Sequence, residues 1–196
     1  MTKTIMLCGV GGQGNILAGK ILSEALKRSG YDVKMSEVHG MAQRGGSVTT
    51  QVRYSNDVVY SPLSLRVDLL VAFELLEGLR WRGQVSEEGT ILLNNYRVMP
   101  APVLLGKADY PVSEIEAFKR DRRVLLIPAA DIAREALNLR VMNVVLLGAM
   151  APMLSLDTLT IKEVMVDLIK PEYLDANVNA LMMGSEYAAA SSAGQR

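Results

Sequence analysis

An apolar run, "KTIMLCGV", opens the chain and breaks at glycine, which predicts a short buried strand ending at Gly9. The period then changes. In "GNILAGKILSEALKRSG", Ile16, Leu17, Ile21, Leu22, Ala25 and Leu26 recur at helical spacing, and Gly30 supplies a stop. "YDVKMSEV" predicts a second strand, and the resulting β-α-β unit has a crossover long enough for two parallel neighbours.

Further along, "SVTTQVRYS" alternates as a half-buried strand does, "SND" can turn the chain, and "VVYS" can return as its hairpin partner. "VDLLVAFE" is a continuous apolar run suited to the interior of a parallel sheet, with helix expected from Glu74 onward. "GTILLNN" and "RRVLLIPA" predict two more strands, the first followed by a loop rich in Pro and Gly. "AADIAREALN", "VMNVVLLGAMAPML", "IKEVMVDLIK" and "PEYLDANVNALMMGSEYAAA" favour helix. The expected fold is one Rossmann-like α/β domain over residues 1–190. It has a mostly parallel sheet with flanking helices, a β-hairpin insertion and a helical C-terminal segment, followed by a disordered tail at 191–196.

Composition narrows the function without naming it. A chain of 196 residues, 49% hydrophobic and 21% charged, suits one well-packed domain. Its formal net charge of zero points to neither nucleic acid nor a membrane surface. The first apolar run meets glycine too early for a signal peptide or membrane span, so a cytoplasmic protein is expected. Cys8 is the only cysteine, within an apolar run, and is expected to be a buried hydrophobe. One thiol cannot supply the several thiolates that an iron–sulfur cluster needs.

Two stretches carry candidate chemistry. In "GVGGQG", Gly9, Gly11 and Gly14 match G-x-G-x-x-G between a strand and a helix, with Gly12 and Gln13 inside the same turn. Gly9 can make the tight turn, Gly11 can admit a ligand, and Gly14 can let helix and strand pack closely. Free N–H groups at the helix start would then hold phosphate or pyrophosphate. A glycine joint that only packs strand against helix is the alternative.

The second stretch is "EVHGMAQRGGS", residues 37 to 47, expected at the carboxyl end of a strand. Glu37 lies near the distance expected of a ribose-binding acid. His39, the only histidine, can donate a hydrogen bond or move a proton. Arg44 offers a planar cation for phosphate or carboxylate, Gly45 and Gly46 a tight backbone, and Ser47 a hydroxyl. An internal Glu37–Arg44 ion pair that pins the loop, with His39 capping the backbone, is the other reading.

Together, "GVGGQG" and "EVHGMAQRGGSV" resemble the gamma-type domain of the 2-oxoacid:ferredoxin oxidoreductases. Most similar are the small, separate beta chains of the indolepyruvate-type enzymes. The resemblance extends through "NVVLLGAM" and "NALMMG". It implies a subunit inactive alone, without catalytic or metal-binding residues of its own. A large (alpha) subunit would carry thiamine diphosphate and [4Fe-4S] clusters, an aryl pyruvate would be decarboxylated there, and electrons would pass to ferredoxin. Coenzyme A would take the acyl group, and the glycine loop and Arg44 suit its phosphates; residues 37 to 47 would also contact the large subunit, and a purely structural interface loop is the alternative. A stand-alone NAD- or FAD-dependent enzyme and a nucleotide-binding regulator are the alternatives that the glycine loop leaves open.

Overall fold

The computed structural model describes residues 1–39, 45–136 and 138–193. β1 (Lys3–Val10) leads into α1 (Asn15–Arg28), then β2 (Asp32–His39), β3 (Ser47–Ser55) and β4 (Val67–Ala72). There follow α2 (Leu75–Trp81), β5 (Val85–Asn94), α3 (Ala101–Leu104), α4 (Val112–Lys119) and β6 (Val124–Ile127). The chain closes with α5 (Ala129–Glu135), α6 (Met142–Met150), α7 (Thr158–Leu168) and α8 (Pro171–Ala193). Residues 191 to 193 thus continue a helix where a disordered tail was expected; 194–196 lie outside the described residues.

The strands form one six-stranded sheet in the order β2-β3-β1-β4-β5-β6. β1, β4, β5 and β6 pair in parallel, whereas β3 runs antiparallel to both of its neighbours. The expectation of β1 and β2 as parallel neighbours is therefore corrected, because β3 lies between them. Its run Val48–Val52 is buried on both faces, so it belongs in the interior of the sheet. β2 exposes Lys34 and Val38 and takes the edge.

The antiparallel partner of "SVTTQVRYS" is corrected too: residues 58–61 form no strand. The chain just beyond, at 61–64, is held against β3 by side chains instead. Gln51 donates to the carbonyl of Ser64 at 3.1 Å and accepts its N–H at 2.9 Å. The Arg53 guanidinium donates to the carbonyls of Ser61 and Leu63 at 2.7 and 3.0 Å.

Alternation along the strands feeds two cores. Ile5, Leu7, Val71 and Phe73 face α1 and the C-terminal helices, while Met6, Cys8, Leu70 and Ala72 face α2 and α4. The two C-terminal motifs noted in the sequence meet where α6 crosses α8. A Cβ on Gly148 would stand 2.0 Å from the Leu181 carbonyl oxygen, and one on Gly184 would stand 2.1 Å from that of Val145. Only paired glycines allow these backbones to touch.

Candidate functional site

At the carboxyl end of β1 the backbone turns through Gly12 (φ 101°) and Gly14 (φ 80°), a region that L side chains rarely adopt. Gly9 does not make this turn. It sits buried in β1, where a Cβ would lie 2.8 Å from that of Phe73. Gly14 makes its close approach to α6 rather than to a strand, since a Cβ there would lie 2.6 Å from Asn143 Nδ2. Asn143 donates to the Gly14 carbonyl at 3.3 Å. Gln13 braces the turn: Oε1 accepts the Val10 N–H at 2.7 Å, and Nε2 donates to the Phe73 carbonyl at 3.3 Å.

This bracing leaves α1 with an open N-terminus. Gly14 is its N-cap, no side chain caps it, and its first turn carries no acidic residue. The first N–H groups of a helix have no partner within the helix and carry its positive dipole end. Here they border a cavity of about 500 Å³ lined by Gly11, Gly12, Asn15, Ile16, Leu17 and Val48. The chemistry of that position favours an anion.

The two sequence motifs meet at this turn. Gly11 donates its N–H to the Gly46 carbonyl at 2.8 Å, and Asn15 Nδ2 donates to the Val48 carbonyl at 3.0 Å. Gly45 turns with φ 76°. Ser47 points the other way, its hydroxyl donating to the carboxylate of Glu77 on α2. Glu77 is almost wholly buried and also accepts from Arg80 and, at 3.2 Å, from Trp81 Nε1. Glu74 caps α2 by accepting from Leu76 at 3.0 Å and from Glu77. Burial pushes its carboxyl above the usual range, against the pull of those N–H groups.

Glu37 does not join this cluster. Its register runs through Thr50 to Leu7, so it stands level with the middle of β1 and two strands away from it. Two strand spacings are about 10 Å. Insertion of β3 thus separates Glu37 from the place where a ribose-binding acid would stand. His39 pairs with Val48 at the end of β2; its side chain, and residues 40–44 including Arg44, lie outside the described residues. The Glu37–Arg44 ion pair falls outside them likewise.

Glu74, Glu77, Asn15 and Asn143 were not read from the sequence as site residues. An acid at the head of a predicted helix, followed three residues later by another, was the available signal for the first two. Cys8 is fully buried, as expected. Burial first, then the charges of Glu77 and Glu74, push its thiol well above its ordinary value. Among the described residues no group of three or more His, Cys, Asp or Glu gathers as metal ligands.

Residues 4–187 match the family described as pyruvate ferredoxin/flavodoxin oxidoreductase. The chain belongs to that family. It is 35% identical over 187 residues to the indolepyruvate oxidoreductase subunit IorB of Thermococcus kodakarensis, covering 92% of this chain and 93% of that one. The IorB of Methanothermobacter thermautotrophicus is 36% identical over 198 residues, covering 97% of this chain and all of the other. Within the family, then, this is a small oxidoreductase subunit of the kind those relatives represent.

Solved structures of the family share the fold. The gamma subunit of a keto/oxoacid ferredoxin oxidoreductase from Geobacter sulfurreducens superposes with a TM-score of 0.76 at 24% identity, covering 97% of this chain and 98% of that one. The 2-oxoglutarate:ferredoxin oxidoreductase of Magnetococcus marinus, solved with 2-oxoglutarate, coenzyme A and succinyl-CoA, has the same TM-score and identity. The match covers 96% of this chain but 31% of that longer one. The mixed sheet with its inserted β3 is thus the family fold, and the expected Rossmann-like α/β domain with a mostly parallel sheet and flanking helices holds.

Proposed function

We propose that this chain is the small subunit of an indolepyruvate-type 2-oxoacid:ferredoxin oxidoreductase, and that its glycine turn helps to hold coenzyme A. The large subunit carries the thiamine diphosphate and [4Fe-4S] clusters, which supply decarboxylation and electron transfer to ferredoxin. This chain has no donor set for a cluster, since its lone thiol is buried and held protonated. Its own residues bind and orient instead. The protein works in the cytoplasm; among the described residues no helix is long and apolar enough to cross a membrane.

One observation carries the coenzyme A reading: the uncapped N-terminus of α1, free of acid, opens into a cavity of about 500 Å³. Coenzyme A presents phosphates of the kind that such a turn attracts. The relatives supply the substrate class, because IorB chains are named for indolepyruvate. A stand-alone NAD- or FAD-dependent enzyme loses support, since β3 removes Glu37 from the ribose position.

The test places a carboxylate in the first turn of α1. Ile16→Asp complements the helix dipole, so the fold should gain about 0.3–1 kcal/mol or stay unchanged. The same charge repels phosphate, so the KM for coenzyme A of the assembled complex should rise while that for the 2-oxoacid stays put. An unaltered KM for coenzyme A removes the phosphate role from the glycine turn.

A further inference from the structure

α1 covers one face of β2 and β3, whereas on the opposite face of the sheet α2 packs over β1, β4 and β5. Gln51 and Arg53 point to that second face, alternating with Val52 in the α1 core. There the place of a helix over β3 is taken by "VVYSPLSL", residues 58–65, which contains no charged residue. Its backbone is pinned from beneath. Asp32 accepts the Val59 N–H at 2.7 Å, Gln51 and Arg53 hold the carbonyls of Ser61, Leu63 and Ser64, and Arg66 donates to the Gly83 carbonyl at 3.2 Å. Its apolar side chains face out instead. Val59 is buried, but Tyr60 is 92% exposed, Leu65 87%, Val58 61% and Leu63 50%.

Single exposed apolar side chains are ordinary; four within eight residues, on a backbone held in place, form the kind of patch that marks an interface. Charge is absent inside the patch, and Asp57 and Arg66 stand exposed at its two ends. This is the apolar core and polar rim of a protein contact, in which tyrosine is a frequent anchor. We infer that the patch is the docking surface for the large subunit. The choice of occupant rests on the proposed function above, and the lengths of two relatives support it. The matching domain makes up 31% of the longer Magnetococcus marinus chain and 36% of the ketoisovalerate oxidoreductase subunit VorA of Methanothermobacter marburgensis. There the domain is joined covalently to its neighbours. Here the neighbour is a separate polypeptide, and the contact has to hold by itself. Because Gln51 and Arg53 already order the patch, docking costs it little conformational entropy. A second copy of this chain is the competing occupant.

The experiment measures binding of the purified chain to the purified large subunit, beside the thermal melt of the chain. Tyr60→Ser/Leu65→Ser should melt as wild type does, since both side chains stand in solvent. It should bind the large subunit roughly ten- to a hundredfold more weakly, the loss expected when interface anchors are truncated. At saturating concentrations of the variant, the rate of the complex and its KM for coenzyme A should match wild type, which a role in ligand binding would not allow. Leu159→Ser/Val166→Ser, also exposed but on α7, should bind normally.

Undiminished binding by Tyr60→Ser/Leu65→Ser overturns the surface, and so does an equal loss in the α7 control. If the patch variant melts lower than wild type, Tyr60→Cys decides. Cys8 is fully buried, so a maleimide followed on this chain by mass spectrometry reports the new thiol alone. The large subunit should protect that thiol, and equal labelling in the free and bound chain overturns the surface. A wild-type chain that self-associates, with the serine variant monomeric yet bound normally to the large subunit, gives the patch to a second copy and overturns the proposal. If wild type binds no large subunit at all, the proposed function falls first and takes the surface with it.

Discussion

Gly14 combines two constraints that a side chain cannot meet together: a φ of 80° and an Asn143 amide where Cβ would stand. Gly14→Ala should therefore lower stability by about 1–3 kcal/mol in urea unfolding. Gly12 has a similar backbone but open space around it. Gly12→Ala should cost less, and an equal loss at both positions would contradict the packing part of this account. Glu77 matters for its partners: Ser47 at the start of β3, Arg80 and Trp81. Arg80 is half exposed, so solvent screens that pair, and Glu77→Ala should cost about 1–3 kcal/mol, chiefly through the part-buried donors of Ser47 and Trp81 left unpaired. Glu77→Gln should recover part of the loss.

Glu74 gives the residue scale a pH signature. An unfolded glutamate titrates near about 4.3, and burial raises the folded value above that. The folded state then holds the proton more tightly. The carboxyl's ionisation erodes stability as pH climbs from the unfolded value through the folded one, and the cost is constant above it. Glu74→Gln removes this slope. The stability of the variant relative to wild type should improve across that window and then level, and a difference that ignores pH would contradict the buried position.

At the scale of elements, apolar periodicity made β1, α1, β4, β5, β6 and the C-terminal helices legible. Each is a local pattern of burial. The order of strands was not, because the burial of β3 depends on the 56–66 segment that folds over Gln51 and Arg53. Nothing inside "SVTTQVRYS" announces that cover. The glycine turn was legible for the same local reason, but its supports were not: Ser47 and Glu77 lie 30 residues apart, Asn143 and Gly14 129. The α6–α8 crossing was visible only as two familiar motifs. Gly148→Ala drives a methyl into the Leu181 carbonyl and should cost about 3 kcal/mol or more, read as a lowered melting temperature. A variant that melts as wild type does would show that the helices can part freely.

The whole molecule is a scaffold that presents one polar end of a sheet. β1 and β4 carry the glycine turn and the Glu74–Glu77 pair to the same end of the sheet, and the C-terminal helices wall a cavity beside it. In the proposed function, with the lone thiol buried, this end binds a ligand rather than conducting electrons. Under the same proposal the chain completes an enzyme whose redox centres lie elsewhere. The most direct measurement titrates the purified chain into the purified large subunit and follows indolepyruvate-dependent ferredoxin reduction in the presence of coenzyme A. The account predicts a rate that rises with added chain and saturates once every large subunit has its partner, with no turnover by this chain alone. Full activity of the large subunit by itself, or oxidation of indolepyruvate by this chain by itself, would contradict it.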